Sequence, residues 1–243
     1  MFIYKVCHDL SKESSLNYYS VNHNRYNRYY FDTEENDLED ITNWQNRTGL
    51  FAPLRYFFNI PQELNAHIIL HLRDPRDVLV SLYFSEAYSH SVFKGVFDLS
   101  QSERNEIVNR GIDQYVLDYA DTFNSKYSEY QHLLASPDSI FVKYEDLVWD
   151  FPLWLREIAK GFAIDNPKFI QRIIKKYKGE FEVKKENVHA HKQKIIPGDY
   201  KEKLTTETIR KLNDIFSDNL KNNIINCRLY FFLKARNTRR FAS

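Results

Sequence analysis

The chain has 243 residues, a formal net charge of +1, 43% hydrophobic residues and only 6 Gly. That is the composition of a folded domain with a core, and it excludes a disordered or collagen-like polymer. The near-zero charge excludes a whole-molecule field for nucleic acid or membrane, so any anion site must be local.

Two cysteines, Cys7 and Cys227, exclude a disulfide framework and point to a reducing, cytoplasmic setting. No apolar run approaches the roughly 18 residues of a membrane span, and the N-terminus lacks the layout of a secretory signal. The length suits one large α/β domain over residues 1–243, with 220–243 read as a basic tail ending in Arg236, Arg239 and Arg240.

In chain order, Phe2, Ile3, Val6 and Leu10 recur at helical spacing, which predicts a helix over 2–14. Residues 17–21 suit a short strand, and the polar, Asn- and Tyr-rich stretch 22–48 reads as a long surface connection. The aromatic patch Phe51, Tyr56, Phe57, Phe58 is interrupted by Pro53, so it is either a substrate-side loop or a lid over the core. Residues 66–72, Ala-His-Ile-Ile-Leu-His-Leu, form a short apolar run of the kind seen in buried strands. The chain then meets Asp74-Pro75 and resumes at helical spacing. Asp74 suits an N-cap, Pro75 the first helical position, and Asp77 the first turn. The result is strand, tight turn, helix, with Arg73 at the strand's carboxyl end, where open α/β sheets bind ligands.

A long helix is predicted over about 103–134 from Val108, Ile112, Tyr115, Val116, Tyr119 and Phe123. A second buried strand follows at 139–144, then helices over about 151–162 and 166–178. Residues 180–203 are basic and contain the turn Pro197-Gly198-Asp199. A last helix, capped by Thr205 or Thr206, runs to about Leu220.

Chemistry first suggests itself at Arg73 and Ser81, because a guanidinium fork and a hydroxyl together match a phosphate. On the residues alone, Arg73 can equally pair with Asp74 or Asp77. The string Arg73-Asp74-Pro75-Arg76-Asp77-Val78-Leu79-Val80-Ser81 resembles the 3′-phosphate-binding segment of sulfotransferases that use 3′-phosphoadenosine-5′-phosphosulfate (PAPS). Two further segments agree in order. Phe141-Val142-Lys143-Tyr144-Glu145-Asp146-Leu147 resembles the family's strand ending in Tyr-Glu-Asp-Leu. Residues 191–205 resemble its late basic loop, typically Arg-Lys-Gly followed by Gly-Asp-Trp-Lys.

The resemblance implies a P-loop-NTPase-like three-layer α/β fold, a parallel sheet flanked by helices. It implies that Arg73 and Ser81 hold the nucleotide's 3′-phosphate, that Tyr144 lies by the adenine, and that Lys192 and Lys194 close over the phosphate. PAPS is the implied co-substrate, with no metal. The implied reaction moves the sulfuryl group to a hydroxyl or amine of a small-molecule or carbohydrate acceptor, leaving adenosine 3′,5′-bisphosphate (PAP).

The departures are specific. Gln193 stands where the family usually has Arg, and Ile195 where it often has Gly; lysine supplies charge but no bidentate fork. The family's Pro-Lys-(Ser/Cys)-Gly-Thr-Thr loop, which cradles the 5′-phosphosulfate after the first strand, has no counterpart in residues 1–48, since the first glycine is Gly49. The expectation is that the first strand and loop lie outside the chain as given. The alternative is a sulfotransferase-like protein that binds the nucleotide only. The general base is unassigned, with His90 and Glu86 as candidates. His189 and His191 lack the further ligands a metal needs.

Overall fold

The computed structural model describes residues 2–23, 29–32, 38–40, 48–54, 66–89, 99–134, 139–180, 196–221 and 230–235. The first helix, α1 (Phe2–Glu13), leads into a meander of β1 (Asn17–His23), β2 (Tyr29–Asp32) and β3 (Leu38–Asp40). Strand β4 (Gly49–Leu54) and β5 (Ala66–Leu72) follow, and β5 runs into α2 (Pro75–Phe84), which ends in a π-helical turn over Ser85–Ser89. Then come α3 (Gln101–Arg110), α4 (Ile112–Leu134), β6 (Ser139–Lys143), α5 (Tyr144–Trp149), α6 (Phe151–Gly161) and α7 (Pro167–Tyr177). The chain closes with α8 (Tyr200–Lys203), α9 (Thr206–Ile215), α10 (Ser217–Lys221) and β7 (Tyr230–Ala235).

The sheet order is β3-β2-β1-β4-β7-β5-β6. Strands β1 and β4 are parallel, as are β5 and β6, while β7 runs antiparallel to both β4 and β5. It follows that β1, β4, β5 and β6 all point the same way, and their carboxyl ends lie on one side of the molecule. One face of the sheet packs α1, α6 and α7 through Leu50, Ala52, Ile69 and Val142 against Val6, Leu10, Trp154, Ile158 and Ile173. Side chains alternate along a strand, so Ile68, Leu70 and Leu72, all buried, face the other layer. There α2, α3, α4, α8 and α9 enclose a second core of Leu79, Tyr83, Tyr115, Val116, Leu212 and Phe216. The α/β class with helices on both faces agrees with the sequence.

Four expectations need correction. Residues 50–52 are neither loop nor lid: Leu50, Phe51 and Ala52 are fully buried in an interior strand. Pro53 falls inside a register irregularity between Phe51 and Leu54, the kind of place where a sheet tolerates a proline. The connection over 22–48 contains β2 and β3. The long helix is two helices, because Gly111 takes a φ of 77° after α3 and the chain restarts as α4. The tail is not an appendix, since β7 lies between β4 and β5 and makes the sheet mixed instead of all-parallel. The rest of the aromatic patch, Tyr56 to Phe58, lies outside the described residues.

Candidate functional site

Sequence logic at the β5–α2 junction is realised closely. Asp74 is the N-cap of α2, its side chain accepting from the Arg76 backbone N–H at 2.9 Å, and Pro75 takes the first turn. The partner of Asp74 is Arg76, not Arg73: Nε donates to Oδ1 at 2.8 Å and a second guanidinium nitrogen donates to Oδ2 at 2.5 Å. Arg76 also reaches Asn213 of α9 and lies 4.2 Å over the Tyr200 ring. That cluster locks the α8–α9 segment onto α2.

Asp77, 1% exposed, sits in the first turn of α2 as its sequence position suggested, and has a further use. Its Oδ2 accepts from the Gly198 N–H at 2.7 Å and its Oδ1 from the Tyr200 N–H at 3.0 Å. Gly198 needs its positive φ of 91° to turn these two amides toward one carboxylate. Burial raises the pKa of Asp77, against the lowering pull of Arg73 and the two amides. The described end of the basic segment is thereby stapled one helical turn from Arg73. Lys192 and Lys194 lie outside the described residues, as does His90.

Arg73 is left with little. Its residue is 5% exposed, its carbonyl accepts from the Tyr127 hydroxyl at 2.9 Å, and its guanidinium approaches Asp77 only to 3.9 Å. Nε is buried with no hydrogen-bond partner among the described residues. The guanidinium carbon lies 4.9 Å from the Tyr144 ring centroid. Strand register is the reason for this contact. Leu72 of β5 pairs with Lys143 of parallel β6, so the next residues, Arg73 and Tyr144, leave the sheet side by side. Tyr144 is consequently the first residue of α5, not the last of a strand.

Residues 77 and 81 are four apart on α2, so Ser81, half-buried, lies one turn beyond Asp77, the residue that the Arg73 guanidinium approaches. Below the cluster, His71 is fully buried against Trp154 and Tyr144, and burial lowers its pKa to about 3, so it is neutral. Glu86 sits in the π-helical turn, where its carboxylate accepts from the Tyr115 hydroxyl at 2.5 Å. The same residue's backbone carbonyl accepts from Arg104 at 3.0 Å. Those bonds anchor α4 and α3 to the turn. Among the described residues no cluster of His, Cys, Asp or Glu has the form of a metal site.

Sequence reading missed Glu145. It follows Tyr144, and neither carboxyl oxygen has a hydrogen-bond partner on another of the described residues. Burial raises its pKa to about 8, with Asp74 and Asp77 adding to the rise and Arg73 opposing it. No spacing rule marks it; only the pairing of β5 with β6 brings it beside Arg73.

Arg73 is thus a buried guanidinium flanked by an aromatic ring at the carboxyl ends of parallel strands, the side of an α/β sheet on which ligands generally bind. The sulfotransferase-domain family model matches residues 13–223, most of the chain, and the chain belongs to that family. Among solved structures, the chain is similar to mouse sulfotransferase SULT7A1 complexed with PAP, at a TM-score of 0.44 and 15% identity. That likeness covers 64% of this chain and 59% of the mouse chain. No curated protein matches the chain. No described helix is long and apolar enough to cross a membrane.

Proposed function

We propose that this chain binds PAPS through the β5–α2 junction and transfers its sulfuryl group to a hydroxyl or amine acceptor, releasing PAP. Arg73 and Ser81 hold the 3′-phosphate, Tyr144 contacts the adenine, and Lys192 and Lys194 supply further charge from the basic segment. The observation that carries the reading is the state of Arg73. Its acidic neighbours are occupied, Asp74 by Arg76 and Asp77 by two backbone amides, while its own Nε has no acceptor among the described residues. A buried unpaired donor is costly, at about 1–3 kcal/mol or more when charged, and a phosphate oxygen would relieve it. The stapling of residues 198–200 to Asp77 supports the basic segment as the other wall.

In such a transfer, attack by the acceptor's oxygen or nitrogen forms the new S–O or S–N bond as the bond from sulfur to the 5′-phosphate oxygen breaks, and the acceptor's proton leaves to a base. The chain's part is positioning and charge.

A second reading is nucleotide binding without transfer, since the assigned ligands, Arg73 and Ser81, serve the nucleotide's 3′-phosphate and not the sulfuryl group. Incubation with sulfur-35-labelled PAPS and a panel of phenol, amine and carbohydrate acceptors separates the two. Labelled product with PAP release is expected. PAP binding without any labelled product favours the second reading, and no binding of either nucleotide refutes both.

A further inference from the structure

Resting on the reading of Arg73 as the phosphate ligand, we infer that Glu145 is a proton-carrying positioning residue of the same site. It leaves Arg73 open to the phosphate only while its carboxyl holds a proton, so binding of the dianion takes up a proton at a Glu145 oxygen.

Two facts of placement lead there. Arg73 Nε and both Glu145 oxygens are buried, and none of the three has a hydrogen-bond partner on another of the described residues. Yet β5 and β6 leave the sheet in register, which puts Arg73 against Tyr144 and Glu145 one residue further on. Glu145 lies within electrostatic reach of Arg73, whose Nε is unpaired among the described residues. An ionised carboxylate there would compete with a phosphate for the guanidinium, since a charge-assisted pair is among the strongest hydrogen-bonded contacts a protein makes. A neutral carboxyl does not compete in this way.

The surroundings favour the neutral form. Burial is the main cause, and the carboxylates of Asp74 and Asp77 add to it, while Arg73 alone among these charges opposes it. From β5, His71 is buried and neutral. Next along α5, Asp146 answers instead to Lys143 of β6, to Asp150, and to Glu157 of α6. Once a phosphate dianion sits on Arg73 and draws also on Lys192 and Lys194, the charge of Arg73 is shared and another negative group has arrived. Both changes strengthen the hold of Glu145 on its proton. The proton comes from solvent, and the only covalent bond formed is O–H.

The test is calorimetric titration of PAP at pH 8 in two buffers of different ionisation enthalpy. A phosphomonoester has its second pKa near 6, so the ligand is already a dianion there and contributes no protons of its own. With Glu145 titrating near pH 8, uptake of up to about half a proton per PAP is expected in the wild type and none in Glu145→Gln. Wild-type affinity is also expected to fall severalfold from pH 8 to pH 9, with the Gln variant flat across that interval. Wild-type binding with no buffer dependence overturns the inference, as does buffer dependence that persists in Glu145→Gln. The first of these needs no variant to fold. Failure of the wild type to bind PAP at all looks different, and removes the site reading together with the inference.

Discussion

Replacing Asp77 with alanine is expected to be strongly destabilising. The carboxylate is 1% exposed and takes two backbone hydrogen bonds, 2.7 Å from Gly198 and 3.0 Å from Tyr200. Hydrogen bonds to a charged group contribute about 1.5–3 kcal/mol each, and the Tyr200 amide would be left buried without its acceptor. The same change strips Arg73 of its nearest negative charge, at 3.9 Å. A loss of about 3–5 kcal/mol follows, or a fall in Tm of roughly 10 °C for a chain of this size. Urea unfolding followed by tryptophan fluorescence measures it, and Asp77→Asn, which keeps one acceptor oxygen, is expected to fall between wild type and alanine. An Asp77→Ala protein within about 0.5 kcal/mol of wild type, the range of an ordinary surface change, would refute the stapling role.

Glu145→Gln tests the buried carboxyl without any ligand. Glu145 keeps its proton up to about pH 8 when folded, against an ordinary value of 4.5, so between these limits the folded state binds more protons than the unfolded one. Its contribution to stability therefore falls as pH rises through that window. The Gln variant, which cannot ionise, is expected to be more stable than wild type at pH 8 by up to a few kcal/mol and equal to it at pH 4. A pH-independent difference in unfolding free energy would contradict this. Gly161→Ala is expected to cost about 1–3 kcal/mol by overpacking, because a Cβ there would meet Ile69 Cδ1 at 2.6 Å and Ile140 Cδ1 at 3.1 Å. Adding Ile69→Val removes the closest of those atoms, so the double variant should recover part of the loss; strict additivity in thermal melts would count against the contact.

What the sequence revealed and what it hid divide along the range of the interactions. The strand, cap and helix around Arg73 were legible because Asp74, Pro75 and the apolar runs act on their immediate neighbours. The central strand over 49–54 was not, because Pro53 reads as a breaker unless the local irregularity of the sheet is known. The apolar run Tyr230-Phe231-Phe232-Leu233 was itself a strand signal, hidden by the arginines that follow it. Of the site, Arg73, Ser81 and Tyr144 were named from motif resemblance. The work of Asp77 in holding the 198–200 turn depends on contacts more than 120 positions apart, and that of Glu145 on the register of two strands. Neither kind of contact leaves a local pattern.

The central claim is that Arg73 holds a 3′-phosphate, and the most direct measurement compares PAP with adenosine 5′-monophosphate, which lacks that group. Calorimetry at neutral pH and low salt is expected to give wild-type binding of PAP about ten- to a hundredfold tighter, the worth of one charge-assisted phosphate contact. Arg73→Ala is expected to lose most of that preference, keeping only what Ser81 and the lysines contribute. A wild type that does not distinguish them, or an Arg73→Ala variant that keeps the full preference for PAP, would contradict the account.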